Sequence, residues 1–488
     1  MSASQPVVDA LVPLAAWIPD IVKPDPRRPP RLAEKVLHTV VALFLFLVCS
    51  QLPLWGVKRL QGADPFLYAR QIMASSRGTL MELGIGPVVT AGMLMQLLRG
   101  SRLLLFDFSI PRDRAEHKGL TNLLALTITL GQALAYVLSG MYGSVFDLGA
   151  LKALAIVAQL VCAGLVVVVL DEVLTDYGVA SGISLFTCTN ICESVVWKAL
   201  SPHTVQRDTG TQFEGAAVAA VAGVLTERDP VRALKNAFYR AHAPNLQSLL
   251  ATAVVVAAVV FLQGLRQELP VEERTKSAGV TGGSRQDPLK IRLFYTSTMP
   301  IILQSALVSN LYFLSQLLWS RFGASGGAAA SVLAVFGRWE QSARGGFRPT
   351  GGLMYYLSPP AGPGEALRFP VHTLAYTAFM IASCAMFSYL WIEVSGQTPR
   401  DVYNQMRVRN TRLYRVRDDA AAQIKALSRP IVTAAQLGGC AVALLTISAD
   451  LLGAVGSGTG ILLAVNIIHD VFDKYDQEVR AGLTSARY

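Results

Sequence analysis

Residues 81–100, MELGIGPVVTAGMLMQLLRG, form an apolar run with Gly84, Gly86 and Pro87 crowded near its start and Thr90 and Gln96 inside it. Glycine and proline loosen a helical backbone, and hydrocarbon tolerates them where neighbouring protein satisfies the freed groups. The stretch therefore reads as a membrane helix with a weak, narrow section near its beginning, packed against protein.

The rest of the chain supports that setting. Of its 488 residues, 52% are hydrophobic and 16% charged, with a mean hydropathy of +0.41. A soluble chain of this length divides into several domains with polar surfaces. Here apolar blocks of roughly twenty residues recur, the length that carries a helix across about 30 Å of hydrocarbon. VLHTVVALFLFLVCSQLPLW and ATAVVVAAVVFLQG have no solvent face, which argues against a large soluble α-domain. The expected fold class is an all-α polytopic membrane protein.

Ten crossings are expected, at about 36–55, 84–98, 119–139, 152–170, 181–199, 246–264, 291–317, 370–392, 430–448 and 456–472. An even number returns the C-terminus to the side of the N-terminus. Arginine and lysine gather in links 99–118, 265–290 and 393–429, which places those links and both termini in the cytosol. Acidic link 171–180 and the long 200–245 link fit the charge rule poorly, but acidic residues and long loops contribute little to orientation. The front end is expected to lack a cleavable signal peptide. Its VVDALVPLAAWIPDIV reads as an interfacial helix ahead of the first span.

The net charge of +10 lies in links between apolar blocks. That pattern suits anionic lipid and leaves contact with RNA phosphates open. Cys49, Cys162, Cys188, Cys192, Cys384 and Cys440 all lie within apolar blocks, so buried free thiols are expected and no metal site is. Catalytic motifs are scarce. GAVGSGTG at 453–460 has neither phosphate-loop nor dinucleotide-loop spacing, and the six histidines are scattered. No cofactor is expected. Ion-coupled transporters place ionisable groups at mid-membrane, whereas most carboxylates here, Glu82 among them, sit at block ends, with Glu193 the main exception. A polytopic solute transporter remains the alternative class.

ADPFLYARQIMASSRGTLMELGIGPVVTAGMLMQLL, GQALAYVLSGMYG, YGVASGISLFTCTNICESVVW, LKIRLFYTSTMPIILQSALVSN, WIEVSGQTPRDV and SADLLGAVGSGTGILLAVNII resemble the SecY family, in its eukaryotic endoplasmic reticulum branch. The resemblance covers nearly the whole chain. It implies the central pore-forming subunit of the protein translocation channel, not an enzyme, with ten helices in two pseudo-symmetric halves around an hourglass pore. The implied organisation is a cytosolic segment 1–35, an N-terminal half 36–199, a lumenal loop 200–245, a C-terminal half 246–472 with cytosolic loops 265–290 and 393–429, and a cytosolic tail 473–488.

The same resemblance assigns a pore ring to Ile85, Val89, Ile183, Thr187, Ile302 and Leu463. Ile85/Val89 and Ile183/Thr187 are i,i+4 pairs that share a helix face. It implies a plug at about 64–76, containing Asp64, Pro65, Phe66, Leu67, Tyr68, Ala69, Arg70, Gln71, Ile72 and Met73. It also implies a lateral gate between spans 2–3 and 7–8 whose polar cluster is Thr90, Gln132 and Asn310; Gly84, Gly86 and Pro87 then suit either a hinge beside that gate or simple close packing. The implied partners are beta and gamma subunits, the ribosome with its RNA, nascent signal-bearing polypeptides, post-translational translocation partners and membrane lipids. Arg274, Lys276, Arg407 and Arg409 are the candidates for ribosome contact. Here the sequence departs from the family pattern: in LPVEERTKSAGVTGGSRQDPLK, Glu272 and Glu273 are added and the basic residues are dispersed.

Overall fold

The computed structural model describes residues 30–57, 70, 73–100, 111–138, 142, 149–207, 210–226, 235–238, 240, 244–273, 288–295, 299–322, 333–341, 347–360, 363–394, 397–414, 416–417, 419–455 and 458–485. The expected interfacial helix near the N-terminus lies outside these residues. So does most of the expected plug, of which Arg70 and 73–76 are described.

The chain begins with five helices: α1 (Leu32–Gln51), α2 (Gly86–Gly100), α3 (Pro111–Leu138), α4 (Ala150–Tyr177) and α5 (Gly182–Leu200). A hairpin of β1 (Thr204–Arg207) and β2 (Gly210–Phe213) precedes the short α6 (Ala216–Thr226). Then follow α7 (Leu246–Gln263), β3 (Arg266–Leu269), β4 (Val271–Glu273), β5 (Leu289–Arg292) and α8 (Met299–Phe322). Strands β6 (Arg338–Gln341) and β7 (Phe347–Gly351) pair ahead of two short helices, α9 (Leu353–Tyr356) and α10 (Pro363–Arg368). The chain closes with α11 (Pro370–Val394), α12 (Pro399–Val408), β8 (Thr411–Leu413), α13 (Ala420–Leu452) and α14 (Gly458–Ser485).

A helix lies over each of the ten expected crossings. Among the described residues, six of them are long and apolar enough to span a membrane by length and composition: Leu32–Gln51, Ala115–Leu138, Ala150–Tyr177, Leu246–Gln263, Pro370–Glu393 and Ala420–Leu452. Several boundaries differ from expectation. Residues 289–292 form β5, so the seventh helix starts at Met299 and not at 291. The ninth begins at Ala420 and takes Pro430 into its interior. The tenth runs on through 473–485, within the expected tail.

Capping follows the sequence locally. Thr398 closes the N-terminus of α12 by a reciprocal arrangement: its Oγ1 accepts from the Asp401 backbone N–H at 3.2 Å, and Asp401 Oδ2 accepts from the Thr398 N–H at 3.2 Å. Pro399 occupies the first helical turn, where its missing N–H costs nothing. At α1, Glu34 Oε2 accepts from the Arg31 N–H at 3.1 Å.

Two compact units divide the chain. One holds the described residues within Met1–Ser201, Ser305–Ser358 and Ile467–Tyr488; the other those within Pro202–Gln304 and Pro359–Asn466. In the first, α3 packs on α2 and α4, and α1 on α4 and α5. Ala91, Ala125 and Val168 make a small-residue seam among α2, α3 and α4, and Phe46 stacks on Phe186 at 4.5 Å between α1 and α5.

In the second unit, α11 and α13 lie along one another. Ser388 Oγ donates to the Ala435 carbonyl at 2.8 Å across the seam, and Tyr376, Met380 and Cys384 pack on Ala443 and Ile447. Gly439 permits this approach, because a Cβ there would lie 2.8 Å from the Cys384 carbonyl oxygen. Helices gain no hydrophobic drive toward one another in lipid, so close packing of small residues carries the association. Gly439→Leu should therefore force α11 and α13 apart and cost about 1–3 kcal/mol, the range for overpacking a filled interior. A thermal melt of the detergent-solubilised chain should show a lower midpoint; an unchanged midpoint would mean that the seam yields freely.

Candidate functional site

The segment leading into α2 is not helical, yet residues 81–85 are buried and 75–80 half-buried. Residues 73–85 turn repeatedly before the helix begins at Gly86. Every turn is tied down. The Ile85 N–H donates to the Met73 carbonyl at 2.8 Å, Ser76 N–H to Met81 at 3.0 Å, and Leu80 N–H to Leu52 at 2.9 Å. Leu54 N–H reaches back to the Gly78 carbonyl at 2.9 Å, joining the end of α1 to the same turn. Gly84 has φ +54, and a Cβ there would strike the Met73 carbonyl oxygen. Only glycine meets both demands without strain.

This corrects the reading of Gly84, Gly86 and Pro87 as a weak section inside a helix. Gly84 belongs to the preceding turn, Gly86 is the first helical residue and Pro87 the second. Proline is accommodated in a first turn because its N–H has no intrahelical partner there. The cluster starts the helix instead of interrupting it.

A buried ion pair closes the turn. Arg70 Nη2 lies 2.6 Å from Glu82 Oε1, with side-chain exposures of 9% and 0%. The Gly78 backbone N–H donates to the other carboxylate oxygen, and Arg70 Nη1 reaches Ser75 Oγ at 3.5 Å. Burial, and after it the charge of Glu82, pushes the nearby Tyr142 phenol well above its ordinary range. Sequence reading noted Glu82 only as a carboxylate at a block end. Its partner became visible once the chain was folded.

Above this pair lies a cavity of about 50 Å³, with Arg70, Met73 and Glu82 on its wall together with Thr90, Gln132 and Asn310. The structure thus brings together the three polar residues drawn from three separate apolar blocks, and sets them beside the described end of the expected plug. A polar cavity of this size accommodates a few waters. Thr90 does not spend its proton on the other two: its Oγ1 donates to the Gly86 carbonyl at 2.8 Å.

Of the expected ring, Ile85, Val89 and Thr187 are buried in the first unit and Ile183 is half-buried. Thr187 Oγ1 donates to the Ile183 carbonyl at 2.9 Å, so its hydroxyl is bonded within its own helix. Asp171 Oδ1 accepts the Ile183 N–H at 3.0 Å and fixes the start of α5. Ile302 and Leu463 are fully buried in the second unit. Around Leu463, Gly458 N–H donates to Asp450 Oδ1 at 2.8 Å, and Gln263 Nε2 donates to Asn466 Oδ1.

Arg274 and Lys276 lie outside the described residues, as do Asp64, Pro65, Phe66, Leu67, Tyr68, Ala69, Gln71 and Ile72. Arg407 and Arg409 are exposed at the end of α12. Sequence reading missed the strands of these links: β3 pairs with β5 across the base of one link, and β4 with β8 joins it to the other. Among the described residues one group has metal-ligand chemistry, His469, Asp470 and Asp473 on α14, with donor atoms within 4.8 Å of one another. His469 Nδ1 and Asp473 Oδ2 are 3.3 Å apart at i,i+4, partly exposed. Three half-exposed donors on one helix leave much of an ion's coordination to water, and an i,i+4 surface pair accounts for them.

A family model described as SecY matches residues 79–472, and one described as the plug domain of Sec61p matches 44–78. The Sec61 subunit alpha protein transport protein of Dictyostelium discoideum is 48% identical over 481 residues, covering 98% of each chain. A solved protein-conducting channel superposes with a TM-score of 0.74 at 26% identity, covering 96% of this chain and 97% of the other. Sec61 in a canine ribosome–channel complex from the endoplasmic reticulum gives 0.70 at 26% identity with the same coverage.

Separating Arg70 from Glu82 leaves a charge buried without its partner, a loss of roughly 3–5 kcal/mol. Arg70→Met and Glu82→Leu should each loosen residues 73–76, and the double variant should loosen them less than either single one. Alkylation of a cysteine placed at Ser75 reads the effect; equal labelling in all four proteins would show that the pair does not hold the turn.

Proposed function

Because the chain belongs to the SecY family, we propose that an apolar ring, a plug and a polar-lined lateral gate keep its pore closed. The chain is the central pore-forming subunit of a channel that moves proteins across the endoplasmic reticulum membrane, a multi-pass component and not an enzyme. In this reading ten spans form two pseudo-symmetric halves around an hourglass pore, with both termini in the cytosol. Ile85, Val89, Ile183, Thr187, Ile302 and Leu463 form the waist, where branched apolar side chains exclude water and ions. The Thr187–Ile183 bond supports a waist without a free hydroxyl donor at that position.

The observation that carries the gate is the shared cavity of Thr90, Gln132, Asn310 and Arg70. A signal segment entering between spans 2–3 and 7–8 would disturb that wall, and the Arg70–Glu82 pair beside it ties the plug to the same place. Plug release and lateral opening then share one set of contacts. The partners are beta and gamma subunits, signal-bearing polypeptides, lipid, and a ribosome whose RNA meets the cytosolic loops; post-translational partners supply an alternative motor.

Vesicles containing the purified channel test the reading. Passage of a signal-bearing polypeptide is expected, whereas saturable uptake of a small solute without polypeptide passage would overturn it. In the same vesicles Ile85→Ser with Ile302→Ser should raise resting ion conductance by wetting the waist. Unchanged conductance in a properly inserted channel would place the ring elsewhere.

Replacing Thr90, Gln132 and Asn310 together by Leu should favour closure, because leucines dry the cavity that opening requires to wet. Crosslinking across the gate should increase, and a more hydrophobic signal should be needed for insertion. A lower requirement with fewer crosslinks would show instead that polar contacts had held the seam.

A further inference from the structure

The cytosolic links 265–290 and 393–429 are joined at their bases. Strand β4 runs antiparallel to β8 with Val271 opposite Leu413, Glu272 opposite Arg412 and Glu273 opposite Thr411. The Tyr414 N–H extends the pairing to the Pro270 carbonyl at 3.0 Å. Alternation along the strands sends Val271 and Leu413 inward, where they pack with Ile291, Ile392, Met406 and Leu427. Buried Gln423 supports β8 from beneath: its Oε1 accepts the Leu413 N–H at 3.1 Å. Glu272 and Arg412 therefore stand on the outer face, with Arg412 Nε 2.7 Å from Glu272 Oε1 and side-chain exposures of 37% for arginine and 24% for glutamate.

The charge pair is not what holds the strands. Backbone pairing, the apolar core and Gln423 do that without it, and a partly exposed ion pair is worth little to stability. Its effect falls on the charge that the surface presents. Arg407 and Arg409 are exposed a few residues away, where α12 ends and Asn410, at φ 55, turns the chain into β8. Without Glu272, Arg412 would add a third guanidinium to that face, with a fork suited to phosphate oxygens.

We propose that Glu272 attenuates RNA docking by occupying Arg412, so that the platform formed by the two links engages one phosphate fewer than its arginines would allow. This rests on the ribosome reading given above and assigns a tuning residue to it. Glu272 is one of the two acidic residues that set the link 265–290 apart, and the fold places it directly opposite an arginine of the other link.

The test uses the full chain in proteoliposomes, titrated with purified ribosomes between 50 and 200 mM salt. Each phosphate contact adds about 0.7–0.9 to the slope of log affinity against log salt. Glu272→Gln should bind more tightly at low salt and lose about threefold more affinity across that range. Arg412→Gln alone should bind no more tightly than the unaltered chain, since it leaves the Glu272 carboxylate unpaired on the face, and in the Glu272→Gln background it should cancel the gain. A Glu272→Gln chain with an unchanged melting midpoint and unchanged or weaker binding would overturn the proposal. So would a double variant, Glu272→Gln with Arg412→Gln, that keeps the whole gain of Glu272→Gln. Failure of the unaltered chain to bind ribosomes, or indifference of its binding to Arg407→Glu with Arg409→Glu, would instead remove the ribosome reading of this face.

Discussion

Hydrocarbon offers no hydrogen bonds, so a backbone that leaves the helix at membrane depth must satisfy its polar groups within the protein. Residues 73–85 leave the helix and meet that demand with bonds from several parts of the first unit. Leu52 and Leu54, past the end of α1, pair with the turn at 78–80. Met73 supplies a carbonyl to Ile85, Glu82 takes the Gly78 N–H, and Arg70 neutralises Glu82. Gly84 is left the single conformation that lets the chain fold back so closely. Together these bonds satisfy an irregular stretch of backbone within the protein.

The threonines in the spans solve the same problem at smaller scale. Thr90 bonds to Gly86, Thr129 to Ala125 and Thr187 to Ile183, each to the carbonyl one turn back. Such bonds contribute about 1 kcal/mol at most against the alternative in water, but in an apolar interior they prevent the larger cost of an unpaired hydroxyl. They also leave the methyl group as the part a neighbouring helix meets: Gly164 packs against the Thr129 methyl. A helix whose sequence looks polar can thus offer a largely apolar side. Between α11 and α13 the hydroxyl instead crosses the seam, from Ser388 to Ala435, and fastens two helices.

The helices were legible in the sequence because a span needs a long apolar run, and such runs resist disguise. Their ends were less so, since α13 continues upstream through Pro430 and α14 continues into charged residues 473–485. The strands were not legible. VEE has no hydrophobic alternation of its own, and its partner TRL lies in another loop beyond α8 to α12, so only the fold supplies the pairing. Arg70 and Glu82 were visible as charges but not as a pair, because burial of either makes sense only with the other present. Thr90, Gln132 and Asn310 were found through resemblance; no local spacing linked them. Gly84, Gly86 and Pro87 announced an irregularity correctly, but its kind depended on φ at Gly84, which sequence does not state.

The apolar part of α2 runs from Gly86 to Leu98, about 20 Å of helix, against roughly 30 Å of hydrocarbon. Leu94 and Leu97 are exposed on it, so acyl chains beside that face meet a wall shorter than themselves. A bilayer adjusts to such a mismatch by thinning, at a cost that grows with each ångström. Lipid at this edge is accordingly held less favourably than lipid beside α4, whose apolar run from 150 to 170 extends about 32 Å. On the gate reading proposed above, an incoming apolar segment would replace strained lipid there, and part of the work of admitting it would come from the membrane itself.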